Sequence, residues 1–153
     1  MLKISTYKPE YKKEIAELFT RSIHETCAKD YSKAQLEAWA SLDIDYDSWG
    51  KRLDKTQPFL AFVGDSLAGF VEFYDDYIDC FYINPSYQKQ GVGRALLNHI
   101  FDLAKNKKID KIRVDASITA KPFFEKFGFI ELKRNIVKRK NQELINFSME
   151  LSI

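Results

Sequence analysis

A chain of 153 residues is sized for a single domain, 1–153, able to bury roughly two thirds of its unfolded surface. Hydrophobic residues at 45% with 14% aromatics argue against disorder, and no apolar run approaches the ~18 residues that a bilayer crossing needs. A formal charge of +2 with no basic stripe gives no reason to expect nucleic acid as a partner, and Met1-Leu-Lys-Ile-Ser lacks a basic region followed by an apolar signal core, so a cytoplasmic protein without a membrane partner is expected.

Leu2 to Tyr7 alternates apolar and polar residues as a first strand, and Pro9 stands where a helix opens. Tyr11, Ile15, Leu18, Phe19, Ser22 and Ile23 recur at helical spacing, which predicts a long helix to about Cys27. Ser32 is placed to cap a second helix through Gln35, Leu36 and Trp39. Asp43-Ile-Asp-Tyr-Asp-Ser-Trp49 reads as an acidic loop entering a short helical turn near Trp49. Pro58 to Val63 and Leu67 to Tyr74 are apolar runs joined by Gly64-Asp65-Ser66, a hairpin signal, and Tyr77 to Ile83 follows as a third consecutive strand.

After Gly91 and Gly93 an amphipathic helix carries Val92, Leu96, Ile100 and Leu103 on one face and fades in Lys105-Asn-Lys-Lys108. Ile112, Val114 and Ala116 alternate with charged residues as the next strand, and a short helix begins near Ala120. Phe129 to Val137 and Leu144 to Leu151 form a last pair, the second with Ile145, Phe147, Met149 and Leu151 on one face. The basic residues Lys133, Arg134, Lys138, Arg139 and Lys140 read as a solvated hairpin. Cys27 and Cys80 are far apart and outside metal spacing, so two reduced thiols and no metal are expected.

The most informative stretch is Tyr82-Ile-Asn-Pro-Ser-Tyr-Gln-Lys-Gln-Gly-Val-Gly-Arg-Ala-Leu-Leu97. Asn84-Pro85 must stop the strand, because proline has no N–H for a ladder and forces its predecessor extended. Gly91 and Gly93 let backbone approach a ligand without a Cβ, and the helix that follows exposes first-turn N–H groups at the positive end of its dipole. A phosphate or pyrophosphate is the natural guest, with Lys89 and Arg94 adding positive charge. The dinucleotide fingerprint fails, since its third glycine position is Leu96, and Gly93-Arg94-Ala95 lacks the Gly-Lys-Ser/Thr end of a P-loop.

What fits is Gln88-Lys-Gln-Gly91-Val-Gly93, which resembles the Gln/Arg-x-x-Gly-x-Gly/Ala pattern of the GCN5-related N-acetyltransferases. Ala120-Lys-Pro-Phe123-Phe124-Glu-Lys-Phe-Gly128-Phe129 resembles a second segment of the same superfamily. Asp115 to Gly128 together with Tyr31 to Trp39 resembles its YafP-like bacterial subgroup. The resemblance implies an α+β, three-layer fold in the order β-α-α-β-β-β-α-β-α-β-β, with a mixed sheet of six to seven strands, about four helices and splayed central strands. It also implies acetyl-CoA as the acyl donor and a small-molecule or peptide amine as acceptor. A homodimer is compatible with it, although no residue decides the point.

By that resemblance, Phe81, Tyr82 and Ile83 hold the pantetheine arm and acetyl carbonyl, and Gln88, Lys89, Gln90, Gly91, Val92, Gly93 and Arg94 hold the pyrophosphate. Ser117 stands where relatives often have an asparagine, and Phe124 where many have a tyrosine that protonates the leaving thiolate. Phenylalanine has no proton to give, which motivates an alternative reading, a catalytically weak acyl-CoA-binding protein of the same fold. A domain that binds partners without any cofactor is a third.

An ammonium cannot attack, so the acceptor must first lose a proton. Asp79 shares strand parity with Tyr77, Phe81 and Ile83 and is the stronger candidate for the base. Glu72 shares a face with Ala68, Phe70 and Tyr74, an apolar setting expected to raise its pKa. For either, an ion pair at a strand end is the alternative. His24, Tyr31, Trp39 and Trp49, with Tyr74 and Tyr77, are candidate acceptor contacts, and Glu25, Asp30, Asp43, Asp45 and Asp47 would favour a cationic amine. Trp39 at helical spacing also fits a core position, and His24 a plain hydrogen-bonder.

Overall fold

The computed structural model describes all residues, 1–153. One mixed sheet contains β1 (Leu2–Thr6), β2 (Phe59–Val63), β3 (Ser66–Tyr74), β4 (Tyr77–Ile83), β5 (Lys111–Ser117), β6 (Ile130–Arg139) and β7 (Gln142–Ser152), in the spatial order β1-β2-β3-β4-β5-β7-β6. The helices are α1 (Lys12–Thr26), α2 (Lys33–Trp39), α3 (Tyr46–Thr56), α4 (Val92–Asn106) and α5 (Lys121–Lys126). The α+β class and the sheet are as expected, with one helix more than the expected order contains. No helix is long and apolar enough to cross a membrane.

Each face of the sheet is covered. On one, Val92, Leu96, Leu97, Ile100 and Ala104 of α4 and Phe124 of α5 pack on Val71, Phe73, Ile78, Ile112, Val114 and Met149. On the other, Ile15 and Leu18 of α1 and Leu53 of α3 pack on Leu60, Leu67, Phe70 and Cys80. A smaller cluster joins Ile23, Cys27, Tyr31, Leu36 and Ala40 to Leu144. Ser32 caps α2 reciprocally: its Oγ accepts from Gln35 N at 3.1 Å while Ser32 N donates to Gln35 Oε1 at 2.8 Å.

The acidic loop is the clearest departure. Asp45 accepts from Ser48 N at 3.0 Å and Ser48 Oγ at 2.8 Å, and so caps the full α3 helix where only a turn near Trp49 was expected. Gly50 with Asp47, Ser48 and Asp54 gives this segment weak helical propensity, and burial of Leu53 overrides it. The last hairpin also differs: β6 and β7 run to Arg139 and Gln142, and a tight turn uses Lys140 and Asn141 at φ 44° and 67°.

Two features position the site. A bulge between Val71 and Phe73 breaks the β3–β4 register. Ile78, Phe81 and Ile83 therefore belong to the α4 side while Cys80 belongs to the α1–α3 side. Simple parity fails here, and Asp79 turns to the Glu72 side rather than sharing a face with Phe81 and Ile83; Ala68 likewise lies opposite Phe70. Second, the parallel pairing of β4 with β5 holds only at Tyr77–Arg113 and Ile78–Val114. Beyond it β4 follows β3 to the pair Gly69–Ile83, β5 follows β7 to the pair Ser117–Asn146, and the two strands part.

Candidate active site

The parted strands open onto the turn before α4. Asn84 anchors it: its N–H donates to Ala68 O at 2.8 Å, its Nδ2 to Leu67 O at 3.1 Å, and its Oδ1 accepts from Ser86 N at 3.0 Å. Arg21 of α1 adds bonds to Asn84 Oδ1 at 3.2 Å and Ser86 Oγ at 3.1 Å. From Gln88 through Arg94 the backbone N–H groups make no hydrogen bond within the protein, and the first bond of the helix is Ala95 N to Gly91 O. A row of free amides ending at a helix N-terminus is an anion site by construction.

The two glycines have different causes. Gly91 caps α4 at φ +83°, a left-handed conformation that disfavours any Cβ. Gly93 is required by packing: an added Cβ would meet the Phe123 ring at 3.0 Å. Its expected role of admitting a ligand is therefore a matter of fit against α5.

A cleft of about 360 Å³ lies between the parted strands. Phe81, Tyr82, Ile83, Gln88, Lys89, Gly91, Val92, Gly93, Arg94, Ser117 and Phe124 all line it. Among the expected cofactor residues, Gln90 does not, and its amide donates to Ser86 O at 3.4 Å. Ser22 and Thr26 of α1 and Cys27 just after it, with Tyr87, Thr119, Ala120, Phe123, Lys126 and Phe127, complete the walls and were not foreseen, because their inclusion depends on how α1 and α5 lie over the gap. Ser117 Oγ accepts from Ala120 N at 3.0 Å, which shapes the entry to α5 and leaves its own proton to donate. Phe124 is buried and packs edge-on against Phe81 and Phe129. Cys27 and Cys80 are free, buried thiols, and burial pushes both upward in pKa.

A second, more open cavity of about 410 Å³ lies between α1, α2 and α3, walled by Phe19, Trp39 and Trp49 and rimmed by Asp43, Asp45, Arg52 and Lys140. Phe19 meets Trp49 at 4.7 Å between ring centroids and Tyr82 at 4.9 Å. Trp39 meets Tyr82 at 6.4 Å. Tyr82 thus lines the first cavity and packs behind the Phe19 and Trp39 walls of the second. Lys140, read from sequence as solvated, reaches this rim.

Glu72 and Asp79 converge on Arg52, which the missed helix α3 supplies. Glu72 is fully buried; its carboxylate accepts from Arg52 Nε at 2.9 Å, from Arg52 Nη2 at 2.5 Å and from Thr56 Oγ1 at 2.7 Å. Burial pushes the Glu72 carboxyl up, but the bonds and charge of Arg52, with Thr56, outweigh it and hold the pKa below the usual range. The expected upward shift is therefore reversed. Asp79 Oδ2 lies 3.1 Å from Arg52 Nη2 and accepts from Tyr74 OH at 2.5 Å, with about a third of its side chain exposed. Glu72, Asp79 and Cys80 place ligand-type atoms within 4.8 Å of one another, but Arg52 Nη2 sits among them, so a guanidinium fills the place of a metal cation.

The remaining expected acceptor contacts separate. His24 Nε2 lies 2.7 Å from Ala40 O, and since a carbonyl only accepts, that nitrogen carries the hydrogen and is no free base. Tyr31 is buried, donating to Ile145 O at 2.6 Å and accepting from Ile118 N at 2.9 Å. Tyr77 donates to Asp115 at 3.0 Å at the closed end of the β4–β5 pair, and Tyr74 is spent on Asp79; neither lines the cleft or the second cavity. Glu25 pairs with Arg21 at 2.6 Å and Asp30 accepts from Thr119 at 2.7 Å. Only Trp39, Trp49, Asp43 and Asp45 stay at the second cavity, and the Asp45 carboxylate is engaged in capping.

Comparison with known proteins agrees with this geometry. Residues 27–151 match the family described as the acetyltransferase (GNAT) domain. The chain is 34% identical over 148 residues to the uncharacterised N-acetyltransferase YafP of Escherichia coli K12, covering 97% of this chain and 94% of that one. The crystal structure of a GCN5-related N-acetyltransferase of Rhodopseudomonas palustris, labelled a class-II aminotransferase, matches with a TM-score of 0.94 at 33% identity, covering 99% of this chain and 95% of that one. A likeness of fold alone, TM-score 0.74 at 20% identity over 100% and 99% of the two chains, links it to the PaiA N-acetyltransferase of Thermoplasma acidophilum, solved in complex with coenzyme A. With its parted strands, its amide-rich turn and these relatives, the protein belongs to the GCN5-related N-acetyltransferase superfamily.

Proposed function

We propose that residues 1–153 act as one N-acetyltransferase domain that moves the acetyl group of acetyl-CoA directly to a primary amine of a small molecule or a peptide. The observation that carries this reading is the run of unbonded amides from Gln88 to Arg94, opening beside the gap where β4 and β5 part. Acetyl-CoA supplies an activated thioester. The amides of Gln88 to Gly93 hold its diphosphate, with Lys89 and Arg94 adding charge, and the backbone of Phe81, Tyr82 and Ile83 holds the pantetheine and the acetyl carbonyl. An N–H aimed at that carbonyl stabilises the charge that develops on oxygen.

The second cavity takes the acceptor. Aromatic faces of Trp39 and Trp49 and the Asp43 carboxylate favour an amine that arrives as a cation. Asp79, which lines neither cavity but touches Arg52 at the rim of the second, serves as the base through a water, because it reaches solvent while Glu72 does not. Glu72 instead holds Arg52, and with it the position of Asp79. Asp79→Asn should lower kcat by roughly a hundredfold or more with little change in acetyl-CoA affinity. Turnover at the wild-type rate would remove Asp79 from the mechanism.

The buried Phe124 ring favours one rival, an acyl-CoA-binding protein with weak catalysis. CoA release measured with acetyl-CoA and a panel of primary amines separates the two. Amine-dependent release supports the transferase, and tight acetyl-CoA binding without release supports the rival.

A further inference from the structure

At position 124, where the family resemblance implies a proton-donating tyrosine in many relatives, a phenyl ring is packed against Phe81, Phe123 and Phe129. A phenol stands elsewhere in the wall of the cleft. Tyr82 lines the cleft between the strands, sits beyond the last β4–β5 pair, and touches Phe19 and Trp39, both walls of the second cavity. Its ring meets the Trp39 ring at 6.4 Å between centroids. The hydroxyls of Tyr31, Tyr46, Tyr74 and Tyr77 each donate to a protein acceptor and that of Tyr82 does not, so its proton is unclaimed. Burial keeps that proton on the oxygen, pushing the pKa well above its ordinary value.

Resting on the acetyltransferase reading above, we propose that Tyr82 is a catalytic residue that relays a proton from the acceptor nitrogen to the leaving sulfur of coenzyme A. The neutral amine forms a bond from nitrogen to the thioester carbonyl carbon. As the carbon–sulfur bond breaks, its electron pair passes to sulfur, which takes the proton of the Tyr82 hydroxyl. The surplus proton on nitrogen moves to the Tyr82 oxygen, which is thereby restored. Amide and CoA thiol result, and no phenolate forms in an apolar wall, where a bare charge would be costly. A neutral relay suits a phenol too weakly acidic to act by ionising.

Tyr82→Phe keeps the ring and its aromatic contacts and removes only the hydroxyl. With acetyl-CoA and hydroxylamine, a small nucleophile that needs no specific pocket, kcat should fall roughly a hundredfold. The calorimetric Kd for acetyl-CoA should stay within about twofold, which is under 0.5 kcal/mol. A second measurement is independent of turnover. The ultraviolet absorbance of the thiolate of bound CoA, titrated with pH, should show a thiol pKa about one unit higher in Tyr82→Phe, a tenfold change, because the hydroxyl no longer stabilises the thiolate.

Unchanged kcat in an active enzyme, an unmoved thiol pKa, or a loss of affinity that matches the loss of turnover would each overturn the role of Tyr82 and leave the acetyltransferase reading standing. A wild-type protein that binds acetyl-CoA but acetylates neither hydroxylamine nor any amine overturns both.

Discussion

Gly91 and Glu72 show how single residues are constrained by quantities that can be measured. Gly91 holds φ +83° in open space, so Gly91→Ala meets no clash but must strain the backbone, at a cost of about 1–2 kcal/mol. Because the strain is released by rotating the amides of the turn, acetyl-CoA affinity should fall along with the melting temperature, which calorimetry and thermal melts can both follow. Gly93→Ala fails differently, through the Phe123 ring at 3.0 Å, and a compensating reduction of Phe123 should rescue it. The Glu72 pKa lies below its ordinary 4.5 in the folded state, so the native protein binds fewer protons than the unfolded chain near that pH. Its stabilisation is present above pH 4.5 and is lost as pH falls through the folded-state value. Thermal melts in acid should therefore show a steeper loss for the wild type than for Glu72→Gln. Arg52→Met, which leaves Glu72 buried with the Thr56 hydroxyl but no charged partner, should cost toward the low end of roughly 3–5 kcal/mol, since the guanidinium is partly solvated.

At the level of elements, α2 and α3 form two sides of the acceptor cavity and are held by different devices. The reciprocal Ser32–Gln35 cap sets where α2 starts, and α2 ends on Trp39. Ser32→Ala should destabilise by about 1 kcal/mol, lowering the melting temperature by about 2–4 °C. The same change should raise KM for the acceptor more than it lowers kcat, because Trp39 walls the cavity without reaching the thioester. The bulge at Glu72 has a comparable consequence within the sheet. Its extra residue lies on β4, where Asp79 and Cys80 oppose the single residue Glu72, so both turn toward the guanidinium that Glu72 holds, which regular alternation of β4 would not do.

For the whole molecule, the parted strands are the central fact. β4 keeps its antiparallel partner β3 and β5 keeps β7, so the sheet itself stays continuous only at Tyr77–Arg113 and Ile78–Val114. Beyond those pairs a ligand lying between the strands bridges two halves of the sheet. Binding to the native state alone predicts about 2.7 kcal/mol of added stability when acetyl-CoA is present at a hundred times its Kd. Hydrogen exchange should then slow in β4 and β5 near Ile83 and Ser117 before it slows in β1 or β6. A melting temperature that does not respond to acetyl-CoA would remove the cofactor from the proposal.

Local patterns carried much of this protein on their own. Alternation or apolar runs bounded by turn residues marked the strands, Ser32 and Pro9 marked helix starts, and Gln88 to Gly93 marked the anion site, because turns, caps and amphipathic faces are written in residues a few positions apart. Three things needed the folded chain. The helix α3 forms because Leu53 is buried against a distant helix, the Glu72 pKa falls because Arg52 of that helix reaches it, and Tyr82 packs behind the walls of the second cavity because α1 and α2 bring Phe19 and Trp39 to its ring. Each depends on contacts between segments far apart in sequence, and no spacing rule within a single strand or helix encodes which partner arrives.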